Sequence, residues 1–132
     1  MIPKQSVMRV ARPTDNLQAI TEMYEKGLGF KILGGFKDHD GFNGSILGHE
    51  QSTYHLEFTS HKGTSVGKAP TQDNLLVFYL PDHFEWQQCC KNMEASGFKS
   101  VSSYNPYWEK TGKTYEDIDG YRVVLQNNKW VL

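Results

Sequence analysis

His55 and Glu57 stand two residues apart in Tyr54-His55-Leu56-Glu57-Phe58, a stretch that reads as a strand. Side chains at that spacing face the same side of a sheet. An imidazole nitrogen and a carboxylate oxygen placed together could supply two ligands to a divalent ion, and Glu57 alone could act as a general base. The plainer alternative is a His and a Glu hydrogen-bonded to neighbours with no ion. That alternative is favoured, because no third donor stands nearby in sequence. His39, His49, His61 and His83 fall in loops or at a helix start and read as solvated surface residues. Cys89 and Cys90 are adjacent on a helical stretch, which suits packing better than nucleophilic or redox work. No Ser-His-Asp ordering, CxxC pair, phosphate-binding glycine loop or HExxH sequence occurs. Tyr104-Asn105-Pro106-Tyr107-Trp108 gathers three large rings in a connecting segment. Such rings could stack on a planar ligand beside a cleft, fold down as a lid on the core, or meet a second subunit.

The elements that must position these residues come in two similar halves. Gly29-Phe30-Lys31 returns as Gly97-Phe98-Lys99, about half the chain later. In the first half, 6–11 reads as a strand. Asp15 with Gln18 resembles a capping box opening a helix over 16–27, and Leu17, Ile20, Tyr24 and Leu28 form its apolar face. Gly27 and Gly29 allow it to stop. Strands follow at 30–36, 42–48 and 53–59, with Asp40-Gly41 as the turn between the first two. The second half repeats the order: strand 75–80, helix 82–96 capped by Asp82 with Glu85, then strands 98–103, 111–115 and 121–126. Trp86, Cys89, Cys90 and Met93 share a face of that second helix. The expected architecture is α+β, two βαβββ modules over 1–60 and 73–127 joined by a polar linker at 61–72.

The chain has 132 residues, 38% of them hydrophobic, and a formal net charge of −1. One ordinary domain of this size buries enough surface to need no staple. The balanced charge, without a basic block, argues against a nucleic-acid partner. No apolar run approaches the roughly 20 residues of a membrane span, and the first residues lack the apolar core of a secretory signal. Two neighbouring cysteines cannot frame a secreted scaffold, so a cytoplasmic location is expected.

Asn16-Leu17, Met23-Tyr24 and Leu28-Gly29-Phe30 in the first half, and the run from Tyr115 through Asp117-Ile118-Asp119-Gly120 to Leu125 in the second, are similar to motifs of the vicinal-oxygen-chelate superfamily. This is the glyoxalase/bleomycin-resistance/dioxygenase group. The resemblance covers nearly the whole chain. It implies two βαβββ modules whose mixed sheets curl around one cleft, with helices outside. It implies no single chemistry, since the group spans metal-dependent lyases, isomerases, dioxygenases and fosfomycin-destroying transferases as well as metal-free drug-sequestering proteins.

Four positions of this chain correspond to the superfamily's metal ligands. They hold Arg9, Glu57, Leu76 (placed to within one or two residues) and Val124. One of the four can ligate, whereas a catalytic ion needs about three protein ligands. Arg9 would repel a cation and could replace its charge. Arg9 and Glu57 then form either an anion-binding pair or a closed structural ion pair. The two readings stand level. Phe78 should share an inward apolar wall with Leu76, and Trp108 should lie near the cleft mouth. The leading expectation is a small-molecule binding or sequestration protein, with Arg9, His55, Glu57, Leu76, Phe78, Trp108 and Val124 contacting an anionic or aromatic ligand. No cofactor is expected, and the protein should form a homodimer. The alternatives are an enzyme of the same superfamily, using Glu57 as base or with a divalent metal, and an interaction module whose cleft is filled by its own side chains. An adjacent Arg lowers a carboxylate's basicity, which argues against Glu57 as a base near neutrality.

Overall fold

A computed structural model describes all residues, 1–132. The elements run β1 (Met8–Pro13), α1 (Leu17–Leu28), β2 (Lys31–His39), β3 (Phe42–Gly48), β4 (Tyr54–His61), β5 (Leu75–Tyr79), α2 (His83–Ala95), β6 (Lys99–Val101), a 3-10 turn (Pro106–Glu109), β7 (Gly112–Glu116) and β8 (Arg122–Gln126). Two four-stranded mixed sheets result, ordered β1-β4-β3-β2 and β5-β8-β7-β6. This is the α+β arrangement of two βαβββ modules. In each, the first strand lies parallel to the last, and the remaining pairings are antiparallel. The chain divides into two compact units, 1–25 with 29–67, and 26–28 with 68–132.

In the first unit, α1 lays Ile20 and Tyr24 on one sheet face against Leu47, Leu56 and Phe58, all fully or nearly fully buried. The Tyr24 and Phe58 ring centroids lie 4.9 Å apart. Thr21 Oγ1 and Ser45 Oγ share a hydrogen bond of 2.6 Å on the same side. Helix α1 stops where Gly29 turns left-handed at φ 70°, a conformation that favours glycine. The β2–β3 hairpin turns on Asp40 and Gly41, both at positive φ, as the two-residue turn requires. In the second unit, α2 buries Cys90 and Met93 beside Phe98, Tyr115, Val123 and Leu125. Tyr115 Oη donates to Glu94 Oε2 at 2.9 Å, so Tyr115 stands on the α2 side of its sheet. Burial pushes both thiols up, Cys89 and Cys90 alike, which leaves them protonated and unreactive at neutral pH.

The two expected helix caps behave differently. Asp82 caps α2, its Oδ1 accepting from the Glu85 amide at 2.9 Å. Asp15 does not cap α1, whose N-cap is Asn16 without a side-chain bond. Instead the Asp15 carboxylate reaches about fifty residues along the chain. It accepts from the amides of Val66 (2.9 Å) and Gly67 (2.8 Å) and from Ser65 Oγ (3.2 Å). The backbone donors hold its carboxyl below the ordinary carboxylate range. A depressed carboxyl stabilises the folded form above its unfolded pKa of about 4 and loses that effect as pH falls through the folded value. Amide exchange should therefore show Val66 and Gly67 protected at neutral pH and losing protection on acidification. Asp15→Ala should lower their protection about three- to tenfold already at neutral pH.

Candidate functional site

The sheet face of the first unit that points away from α1 carries the sequence's best chemical residues. Phe58 and Ser45 face the helix, so alternation sends His55 and Glu57 of β4, and Gly44, Ile46 and Gly48 of β3, to the other side. The parallel register sets Arg9 beside His55 and Ala11 beside Glu57, and Ile46 flanks Glu57 from β3. Arg9 Nε donates to His55 Nε2 at 2.8 Å, and its Nη1 donates to Glu57 Oε1 at 2.9 Å. The guanidinium thus ties the imidazole and the carboxylate together. His55 Nε2 accepts, which places the proton of a neutral ring on Nδ1. The pair is uneven in exposure, 46% for the Arg9 side chain and 15% for Glu57. Arg9 Nη2 takes no part in either bond.

The fit to a divalent ion is poor. One ligand atom of each residue, His55 Nε2 and Glu57 Oε1, is already engaged by a permanent cation, and no group of three or more His, Cys, Asp or Glu converges to hold a metal.

Leu76, Phe78 and Val124 do not share one wall. In the parallel β5–β8 pair, Leu76 lies beside Val123, Phe78 beside Leu125, and Val77 beside Val124. Val123 pairs with Tyr115, the α2-facing residue. Leu76 and Phe78 therefore stand together, as expected, but on the helix side rather than on the inward face. Val77 takes the place beside Val124. The reason is that 75–79 is apolar throughout, so alternation groups its residues without saying which group faces the helix. Val124 is fully buried.

Tyr104-to-Trp108 is not an open loop. Asn105 Oδ1 accepts from the Tyr107 amide at 3.0 Å, and Pro106 starts the 3-10 turn with a preset φ. Trp108 is half-buried with its ring edge-on to Tyr107, while Tyr104 and Tyr107 remain exposed. The Trp108 carbonyl accepts from Gln126 Nε2 at 3.3 Å, and Gln126 Oε1 accepts from Thr111 Oγ1 at 2.5 Å.

Sequence reasoning missed Arg122, Ile46 and His83. Arg122 shares its sheet side with Val124, is 5% exposed, and pairs with Glu116 at 3.0 Å and the Ser102 carbonyl at 3.2 Å. Period two from Val124 could have found it. Ile46 follows in the same way from Glu57 once the β3–β4 register is known. His83 is not a merely solvated ring. It bonds Asn127 and stacks on Trp86, and neither partner is signalled by the local sequence.

The paired βαβββ modules are the fold of glyoxalase and fosfomycin resistance proteins, as solved structures show. A fosfomycin resistance protein, FosX, from Mesorhizobium loti superposes with a TM-score of 0.73 at 11% identity, covering 98% of this chain and 94% of that one. A glyoxalase I from Leishmania major, described as trypanothione-dependent, gives 0.70 at 18% identity over 91% and 84%. Sequence profiles of the YycE-like N-terminal domain and the YycE-like C-terminal domain match residues 8–59 and 73–127. Protein YycE of Bacillus subtilis strain 168 is 42% identical over 124 residues, 94% of this chain and 89% of the relative. A crystal structure of a Bacillus subtilis YycE protein, described as of unknown function, gives a TM-score of 0.88 at 41% identity over 97% and 93%. The chain belongs to the YycE-like family.

Val124 offers a direct test of how its position is used. Val124→Ala should cost about 2 kcal/mol of stability, since the residue is sealed in packing, with the urea midpoint shifted and the slope unchanged.

Proposed function

We propose that this protein binds and sequesters a small, partly apolar anion on the first module's sheet face, without a divalent metal. The observation that supports this is the double engagement of Arg9. Its Nε and Nη1 are spent on His55 and Glu57, which orients the guanidinium and leaves Nη2 for a carboxylate or phosphate oxygen. Ala11 and Ile46, flanking Glu57 in the register, supply apolar contact beside it. The names of the structural neighbours, glyoxalase and fosfomycin resistance proteins, agree with a small-molecule ligand as a class. A catalytic base at Glu57 fits less well, because its Oε1 already accepts from the Arg9 guanidinium.

Purified protein analysed by native mass spectrometry should carry no stoichiometric zinc, nickel, manganese or iron. About one ion per chain would overturn the metal-free reading. In a thermal-shift screen of small, partly apolar anions, Arg9→Ala should abolish the shift caused by a hit whose NMR perturbations map to β1, β3 and β4. The same variant should change intrinsic stability by less than about 1 kcal/mol, as suits a half-exposed ion pair.

The same reading includes a homodimer. Tyr104, Tyr107 and Trp130 are 68%, 58% and 62% exposed, an aromatic surface of the kind interfaces cover. Trp86 does not belong to that surface, because its indole N–H is bonded to the Leu125 carbonyl at 2.8 Å. Light scattering at micromolar concentration should report twice the chain mass. A monomer throughout would remove this part of the proposal.

A further inference from the structure

The second module holds a cavity of about 390 Å³ lined by His83, Trp86, Glu109, Lys110, Thr111, Gly112, Lys113 and Asn127. It lies on the α2 side of its sheet, since Lys113 pairs with Leu125 and that register position faces the helix. His83 is an exposed residue of this lining whose ring is nonetheless held in place. Asn127 Nδ2 donates to the carbonyls of Leu80 (3.1 Å) and Pro81 (3.3 Å), which fixes the orientation of the amide. Asn127 Oδ1 must then accept, and it lies 2.8 Å from His83 Nδ1. The neutral His83 ring therefore carries its proton on Nδ1 and presents a bare Nε2. The ring is held flat on Trp86, centroids 5.6 Å apart at 27°, and Trp86 is itself pinned through its indole N–H.

The lining carries two cations and one carboxylate. Lys110 and Lys113 have no carboxylate partner. Each ammonium rests over an aromatic ring, Lys110 over Tyr107 at 5.7 Å and Lys113 over Trp86 at 5.6 Å. Glu109, the acidic residue of the lining, turns one oxygen to the Ser103 amide at 2.6 Å. Two lysines without a carboxylate partner that share a cavity lining with a fixed acceptor match an anion that brings its own hydroxyl. The oxyanion faces the lysines, and the hydroxyl donates to Nε2.

We infer that this cavity is a second binding site, for a small oxyanion carrying a hydroxyl donor. Two sources share that chemistry, hydrogen phosphate and a 2-hydroxy carboxylate. The site shares no residue with the Arg9 face and does not depend on the function proposed for it.

Four probes at matched ionic strength test the inference at pH 8, followed by the Trp86 indole N–H signal in NMR. Hydrogen phosphate is compared with sulfate, and glycolate with acetate. The hydroxylated member of one pair should bind about tenfold more tightly than its partner, and that pair identifies the source. Lys110→Ala with Lys113→Ala should abolish saturation, and His83→Ala should erase the difference within the pair. Arg9→Ala should leave both unchanged. Long-range nitrogen-proton correlation should find the His83 proton on Nδ1. Equal response within both pairs, no saturation at millimolar concentration, saturation that survives loss of both lysines, or a proton on Nε2 would each overturn the inference.

Discussion

The parallel pairing of the first strand with the last is the constraint on which each module depends. A chain that leaves β1, forms a helix and then runs through two antiparallel strands returns at β4 beside where it began. That return joins residues more than forty positions apart. It sets Arg9 against His55 and Ala11 against Glu57. A slip of one residue would turn every side chain of β4 over, burying His55 and Glu57 under α1 and exposing Leu56 and Phe58. The burial of Leu56 and Phe58 against Ile20 and Tyr24 thus fixes the register that brings the guanidinium to the imidazole and carboxylate.

The same pairing in the second module produces a different surface. Arg122, Val124 and Gln126 alternate along β8 on the side away from α2, and all are buried. Arg122 is satisfied by Glu116 and a carbonyl, and Gln126 by Thr111 and a carbonyl. Desolvating such groups is costly, and their full set of partners offsets it. One module therefore offers a partly exposed cation, and the other has its polar groups paired internally. The duplicated architecture has kept its backbone plan while the two sheet faces have diverged in chemistry.

Much of this was legible in the sequence, and the exceptions have physical causes. The strand at 42–48 and the Asp40-Gly41 turn could be read because the required residue types are local. His55 and Glu57 could be placed on one face because period two depends only on a strand being there. The side taken by Leu76 and Phe78 could not, since neighbours on both faces of β5 are apolar and only the tertiary position of α2 decides. Asp15 looked like a cap because Gln18 stands at the right spacing, but it found stronger donors in two distant backbone amides. His83 was similarly opaque, its partner lying 44 residues away on the far side of β8.

The positive charge held between His55 and Glu57 is covalently part of the chain. It arrives with every copy of the protein and needs no loading step, transporter or chaperone. Chelators cannot strip it, and metal starvation cannot empty it. The limits follow from the same fact. A guanidinium can hold and orient an anion through its fork of donors, but it has no open coordination position and cannot act as a Lewis acid toward a bound carbonyl or water. The charge that Arg9 brings to this sheet face is therefore constant across the range of metal supply a cell experiences.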